Sequence, residues 1–506
     1  MVAISVDRIR GFLRYVLIAL GILFVLLYII LALIRIRYPF ELEWIEGALV
    51  DHVKWLLSGH KLYVPPSLDF VPYFYTPLYF YLGAAVSTVT GVGFVPLRLI
   101  SFLSSLGCFA IIFLFVKRET ASVFAGFLAM SFFAATYQIG GAWFDLARID
   151  MLFLLFLLWA IYLIRFHETW FGYLLAGVMI SLSFLTKQNA LLMAVPIALY
   201  CVVARPRLAI FFVGSAALLI GGSSLLLNKI HDGWFNYYVF KLAPQHYMLR
   251  HRIVFYWIED LLAPVPVASA AAIFYVFRRL SDSFRKEGLF YLLTSAGILG
   301  GTWITRMHTG AFVNVLIPAY AMIAILFGLG IHRILVYVRE GMGDNRALVR
   351  DNLTSFVSFV CLVQFAALLY DPTHQVPKKA DLEAGTEFIQ TISQLQGDIW
   401  VAGHGFYPAL AGKRSFAHAG SIADILRADE GPVGRQLRLE IEDAFREHKF
   451  SALVMDKSDY KFFVDFNRYY QFQRDIFKSD RVFKTLTGQP CRPEYIYVPR
   501  TPDGGQ

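Results

Sequence analysis

The sequence predicts a polytopic α-helical membrane protein carrying a small C-terminal α/β domain. Three observations predict it. Apolar runs near ~20 residues, the length that spans a hydrocarbon core, recur along residues 1–370. Only 16% of the 506 residues are charged and 57% are hydrophobic, where a soluble domain carries about 25% charged residues. The charge is also unevenly divided: residues 1–370 hold 28 Lys and Arg against 18 Asp and Glu, and residues 371–506 hold 18 against 19. The net charge of +9 therefore belongs to the apolar part. That suits loops facing anionic headgroups and speaks against nucleic acid as a partner.

The first run, 12–35, follows Arg8 and Arg10. It is too long for a signal-peptide core and lacks a small-residue cleavage site, so it reads as an uncleaved first span. Runs near 95–116, 120–138, 151–166, 170–186, 189–204, 207–227, 254–277, 288–304, 312–333 and 352–370 bring the expected count to eleven. With a cytoplasmic N-terminus, the short inside connections collect 16 of the 28 cations, as the positive-inside rule expects. An odd count then places residues 371–506 on the outer side of the inner (plasma) membrane.

Two outer loops are long. The first, about 37–93, contains an amphipathic segment at 46–58 with Ala48, Leu49, Val53, Leu56 and Leu57 on one face, and a short apolar segment at 78–90. Both suit helices lying in the interface. The second, about 228–253, is rich in Tyr, His and Arg. After Asp371-Pro372 the pattern alternates: helices at 382–396, 404–411, 421–427 and 434–448, strands at 398–402, 451–455 and 494–499. This predicts an α/β domain over 371–506, without a Gly-rich phosphate loop. Of the four cysteines, Cys108, Cys201 and Cys361 lie in apolar runs and only Cys491 in a polar region, so neither a disulfide framework nor a CxxC metal pattern is present.

Ionisable groups at the outer span ends are costly to keep near a membrane, which makes them functional candidates. FELEWIEG carries Glu41, Glu43 and Glu46 directly after the first span. Glu43 and Glu46 share a helical face, and a carboxylate there suits proton abstraction from an acceptor hydroxyl; helix N-terminal acids without a chemical role are the alternative. FDLARID supplies Asp145, Arg148 and Asp150, read either as a local ion pair or as acceptor- and phosphate-binding groups. Lys187 stands between two apolar runs with no acid beside it in sequence, so an anionic phosphate or a headgroup would satisfy it. Arg306 and His308 have the same two readings. All of these fall on one side of the predicted topology, and carboxylates, cations and aromatics at one membrane face suit a phosphate-linked lipid.

A first span, an acidic residue, an interfacial helix ending SGHKLY and then YTPLYFYL resembles the GT-C glycosyltransferase superfamily, most of all its PMT/ArnT-like branch. That branch carries an acidic motif in the first outer loop, then a Gly and an aromatic, Pro-rich stretch. Here Glu43 precedes Gly59 by sixteen residues, and Tyr75-Thr76-Pro77-Leu78 stands for the Pro-rich element. The resemblance implies a GT-C fold and an inverting transfer of sugar from a polyprenyl-phosphate donor to a hydroxyl of a glycan, lipid or protein. It implies a catalytic base at Glu43, with Glu46 a second candidate. Asp145, Arg148, Asp150, Lys187, Arg306, His308 and Tyr75 are then expected to bind substrate or phosphate. Some superfamily members use a divalent metal and others none; no metal-ligand set is evident here. A lipid-linked-sugar flippase or a non-catalytic scaffold are the competing readings. The absence of internal repeats and of mid-membrane charges favours the enzyme.

Overall fold

The computed structural model describes residues 6–245, 247–281, 286–340, 347–428, 431–457 and 465–500. The chain opens with α1 (Val6–Ile36), an apolar helix of 31 residues. The first long loop holds the two helices expected there, α2 (Glu46–Leu57) and α3 (Leu78–Thr90). Then come α4 (Phe94–Thr120), α5 (Val123–Ala135), α6 (Asp150–Phe166), α7 (Trp170–Thr186), α8 (Ala190–Ala204) and α9 (Pro206–Ile230). Helices Pro266–Ser281, Lys286–Met307, Ile317–Glu340 and Ala347–Ala366 complete the apolar part.

Among the described residues six helices are long and apolar enough to cross a membrane, or up to seven with one bent pair taken as a span, against eleven expected. The difference lies in helices such as α5, whose 13 residues reach only about 20 Å, short of a hydrocarbon core of about 30 Å. The single span expected at 254–277 is instead two helical segments, bent by 101° at a break of four residues or fewer. Pro264 lies in that break and Pro266 opens the second helix; neither has an amide hydrogen, and each disfavours helix in the residue before it. Gln364, buried on the neighbouring helix, closes it: its Oε1 accepts from the amides of Val267 (3.0 Å) and Ala268 (3.4 Å), and its Nε2 donates to the Pro264 carbonyl (3.2 Å). Gln364→Leu is expected to cost about 1–3 kcal/mol through these freed backbone groups, read as a lower midpoint in thermal unfolding of the detergent-solubilised protein.

The ends of the helices are chemically segregated. At one end Glu119 of α4 accepts from Arg165 of α6 (2.8 and 2.9 Å) and from Arg279 (3.1 Å), and Arg10 pairs with Asp351 (2.5 Å). These belong to the connections predicted to share the basic face, and they meet one another in space. The candidate acids gather at the opposite end.

In the tail, β1 (Ile399–Val401), β2 (Ala452–Met455), β3 (Tyr470–Asp475) and β4 (Tyr495–Pro499) form one sheet in the order β1-β2-β4-β3. β1 and β2 are parallel, with Trp400 opposite Leu453; the other two pairings are antiparallel. Helices Lys379–Gln394, Ala419–Ala428 and Pro432–Arg446 match three expected ones. β3 was not expected: YQFQRD is polar, and as an edge strand it stays exposed after Tyr470. The tail does not pack alone. Leu49, Val53, Leu62 and Leu68 of the first loop share one buried cluster with Phe388, Trp400, Ile422 and Leu453. The two backbones cross at Gly47 and Gly405, where a Cβ on Gly405 would lie 2.4 Å from the Ala48 nitrogen. Only glycine permits so close an approach.

Candidate active site

The segment between α1 and α2 is held by one buried cation. Arg98, on α4 and fully inaccessible, donates to the carbonyls of Arg35 (3.0 Å), Tyr38 (2.6 Å) and Phe40 (2.6 Å). It also grips Glu46 through Nε–Oε1 (2.9 Å) and Nη2–Oε2 (2.6 Å). The same carboxylate accepts from the amides of Leu42 (2.7 Å) and Ala147 (2.7 Å). Against the cost of burial, Arg98 and these amides hold its pKa below the usual carboxylate value. Glu46 has its acceptor capacity spent on protein groups, so it ties the first loop to α4 and to the segment before α6.

Glu43 is placed differently. It lines a cavity of about 820 Å³ together with Tyr75, Arg148, Lys187 and His308. Its Oε2 accepts from the Ile45 amide (3.2 Å) and from Arg148 Nη1 (3.2 Å), while its Oε1 has no hydrogen-bond partner. Burial pushes its pKa up to about 7, with Arg148 pulling the other way and Glu46 adding to the rise. A carboxylate poised near neutrality with one unspent oxygen is what a general base requires. Arg148 is fixed by the Tyr75 hydroxyl (Nη2–O 3.1 Å) and lies over the rings of Trp143 (5.5 Å) and Tyr75 (5.8 Å).

The remaining candidates divide. Lys187 lines the cavity and pairs with Asp150 (2.7 Å), which also accepts from Asn314 (3.1 Å). Lys187 thus has an acidic neighbour in space that sequence does not place beside it. His308 is at the cavity wall with Nδ1 unpartnered. Asp145 and Arg306 are not among the lining residues. Asp145 does not pair with Arg148: it is fully buried against Arg35 (3.1 Å) and the Tyr137 hydroxyl (3.0 Å). Arg306 is engaged bidentately by Asp260 (2.8 and 3.2 Å) and donates to the Ala311 carbonyl (2.9 Å). Both are groups whose charge is met within the fold.

The tail contributes residues that sequence reasoning missed. Gly420, Asp424 and Arg427 line the cavity from helix Ala419–Ala428, and burial pushes the Asp424 carboxyl up to about 7. That helix is set by His418, whose Nε2 donates to the Gly403 carbonyl (2.8 Å) while Nδ1 accepts from the Gly420 amide (2.9 Å) and the Tyr73 hydroxyl (2.9 Å). A neutral tautomer satisfies all three bonds, and burial lowers its pKa to about 3. Nothing in the spacing of residues 418–427 marks them as facing a loop more than 340 positions earlier. Among the described residues, metal-ligand spacing is found for His404, Asp456 and Cys491.

Comparison with known proteins agrees with this architecture. The profile of a family described as dolichyl-phosphate-mannose-protein mannosyltransferase matches residues 74–226. No curated protein matches the sequence. The crystal structure of ArnT from Cupriavidus metallidurans bound to undecaprenyl phosphate superposes with a TM-score of 0.59 at 12% identity, covering 96% of this chain and 99% of that one. Its apo form gives 0.58 at 12%, covering 94% and 97%. The Archaeoglobus fulgidus oligosaccharyltransferase tethered to an acceptor peptide gives 0.50 at 11%, covering 86% of this chain and 69% of that one. The chain therefore shares the overall fold of these structures: a mostly helical protein with several apolar helices and a small C-terminal sheet region.

Proposed function

We propose that the protein is an inverting glycosyltransferase that takes a sugar from a polyprenyl-phosphate donor and delivers it to a hydroxyl acceptor at the outer face of the inner membrane. The observation that carries this reading is Glu43: a buried carboxylate in the cavity wall, with a pKa near 7, an unpartnered Oε1 and two cations, Arg148 and Lys187, lining the same cavity. The acceptor hydroxyl gives its proton to Glu43 as its oxygen attacks the anomeric carbon. The bond from that carbon to the phosphate oxygen breaks on the opposite face, and its electron pair leaves with the phosphate. Lys187 and Arg148 stabilise the charge that grows there. Undecaprenyl phosphate in the similarly folded ArnT supports a donor of this class.

The test is transfer by the full chain in vesicles supplied with polyprenyl-phosphate sugars and hydroxyl acceptors. The expected result is a transferred sugar of inverted anomeric configuration; a product retaining the donor configuration, or no transfer from any polyprenyl-phosphate sugar, overturns the reading. Lys187→Met is expected to lower kcat/KM for the lipid donor about 10-fold or more, the loss of one charge-assisted contact worth about 1.5–3 kcal/mol, with the fall carried mainly by kcat because the contact strengthens as the leaving phosphate gains charge. Initial rates at varied donor concentration check this.

A further inference from the structure

Three segments of the tail converge beside Glu41. His404 follows β1, Asp456 follows β2 and Cys491 precedes β4, so the sheet brings together residues spaced 52 and 35 positions apart in sequence. One donor atom from each, an imidazole nitrogen, a carboxylate oxygen and the thiol sulfur, lies within 4.8 Å of the others, and Cys491 also lines the cavity. The histidine is oriented by an outside partner: Glu41 Oε2 lies 2.5 Å from its Nδ1. That contact orients the ring so that Nε2 faces the other two groups. Nε2, on a side chain only 1% exposed, lies 3.2 Å from Asp456 Oδ1 without meeting hydrogen-bond geometry. His404 thus sits between two carboxylates, and a metal cation placed among Nε2, Asp456 and the thiol would take the place of the proton held there.

We propose that His404 Nε2, Asp456 and Cys491 Sγ form a zinc site, with Glu41 as the carboxylate that orients its histidine. Nitrogen, oxygen and sulfur donors in one set select zinc over magnesium or calcium, which take oxygen alone. A carboxylate on the far ring nitrogen is the usual support of a zinc-bound histidine. Binding displaces the Cys491 thiol proton and the proton on His404 Nε2 to solvent and leaves three protein ligands, with a fourth position for water or a further ligand. The site joins the ends of β1 and β2 to the segment entering β4 and, through Glu41, to the first loop two residues before Glu43. Its role is to clamp the tail against that loop.

The full-length protein, purified in detergent without metal-affinity steps from cells grown with added zinc, is the material for the test. Elemental analysis is expected to find about one zinc per chain, lost in His404→Gln and Cys491→Ser. Because these variants can fail to fold, the wild-type protein reconstituted with cobalt(II) serves as the second measurement. It is expected to show a thiolate-to-cobalt charge-transfer band and the visible bands of tetrahedral cobalt. Wild-type protein that binds neither metal, cobalt bound without a thiolate band, or metal retained in folded Cys491→Ser each overturns the proposal.

Discussion

Glu43→Gln is expected to lower glycosyl transfer by about 10²- to 10⁴-fold, the usual contribution of a positioned base, with the amount of folded protein unchanged. Glutamine keeps the shape of the side chain and can still accept from the Ile45 amide and from Arg148, which contact Glu43 Oε2. Arg148 also retains the Tyr75 hydroxyl and the Trp143 ring. Only the capacity to take a proton is removed. The pH profile of the wild-type enzyme provides a second reading. Burial raises the Glu43 carboxyl to about 7, and a base acts only when ionised, so kcat/KM is expected to fall as pH drops through 7 and to level off above it. The same limb should be absent from the residual activity of Glu43→Gln. Transfer at the wild-type rate after loss of both Glu43 and Glu46 would exclude the mechanism.

Arg98→Met is expected to remove most of the folded protein. The guanidinium satisfies three carbonyls and both oxygens of Glu46 at a site fully closed to solvent. Breaking one side of a buried pair costs about 3–5 kcal/mol, because the other charge is left uncompensated. That is a large share of a typical net stability of about 5–15 kcal/mol. Size-exclusion profiles and thermal unfolding of the detergent-solubilised protein measure it. The double replacement Arg98→Met with Glu46→Leu is expected to recover part of the loss, since no lone charge then remains buried. The contrast with Glu43 separates the two acids of one motif: replacing Glu43 affects the rate, and disturbing the Glu46 pair affects the fold.

Much of this was legible in the sequence, for reasons that differ by residue. The membrane class, the two helices of the first loop and most of the tail elements follow from local hydropathy and periodicity, which depend on near neighbours in the chain. Glu43, Arg148, Lys187 and His308 were identified because ionisable groups at span ends are costly, and Tyr75 because its segment resembles the Pro-rich element of a known family; all five line one cavity. Asp145 and Arg306 met the same criterion and turned out to be neutralised by Arg35 and Asp260, 110 and 46 positions away. The bend within the segment expected as one span at 254–277 was not anticipated, because hydropathy counts apolar residues and does not register the prolines at 264 and 266.

The sequence alone determined that this is a membrane protein with carboxylates and cations at the ends of its apolar segments, since burial cost and hydropathy are properties of residues. Which carboxylate is free to act was decided only by the tertiary structure. Glu43 and Glu46 are three positions apart and chemically identical. Their difference comes from partners brought in across the fold: Arg98 and the Ala147 amide for one, and for the other an open cavity shared with Arg148 and a tail helix some 380 residues downstream. A carboxylate's proton affinity is set by the charges and hydrogen bonds around it, and those come from residues that chain folding, rather than chain order, places beside it.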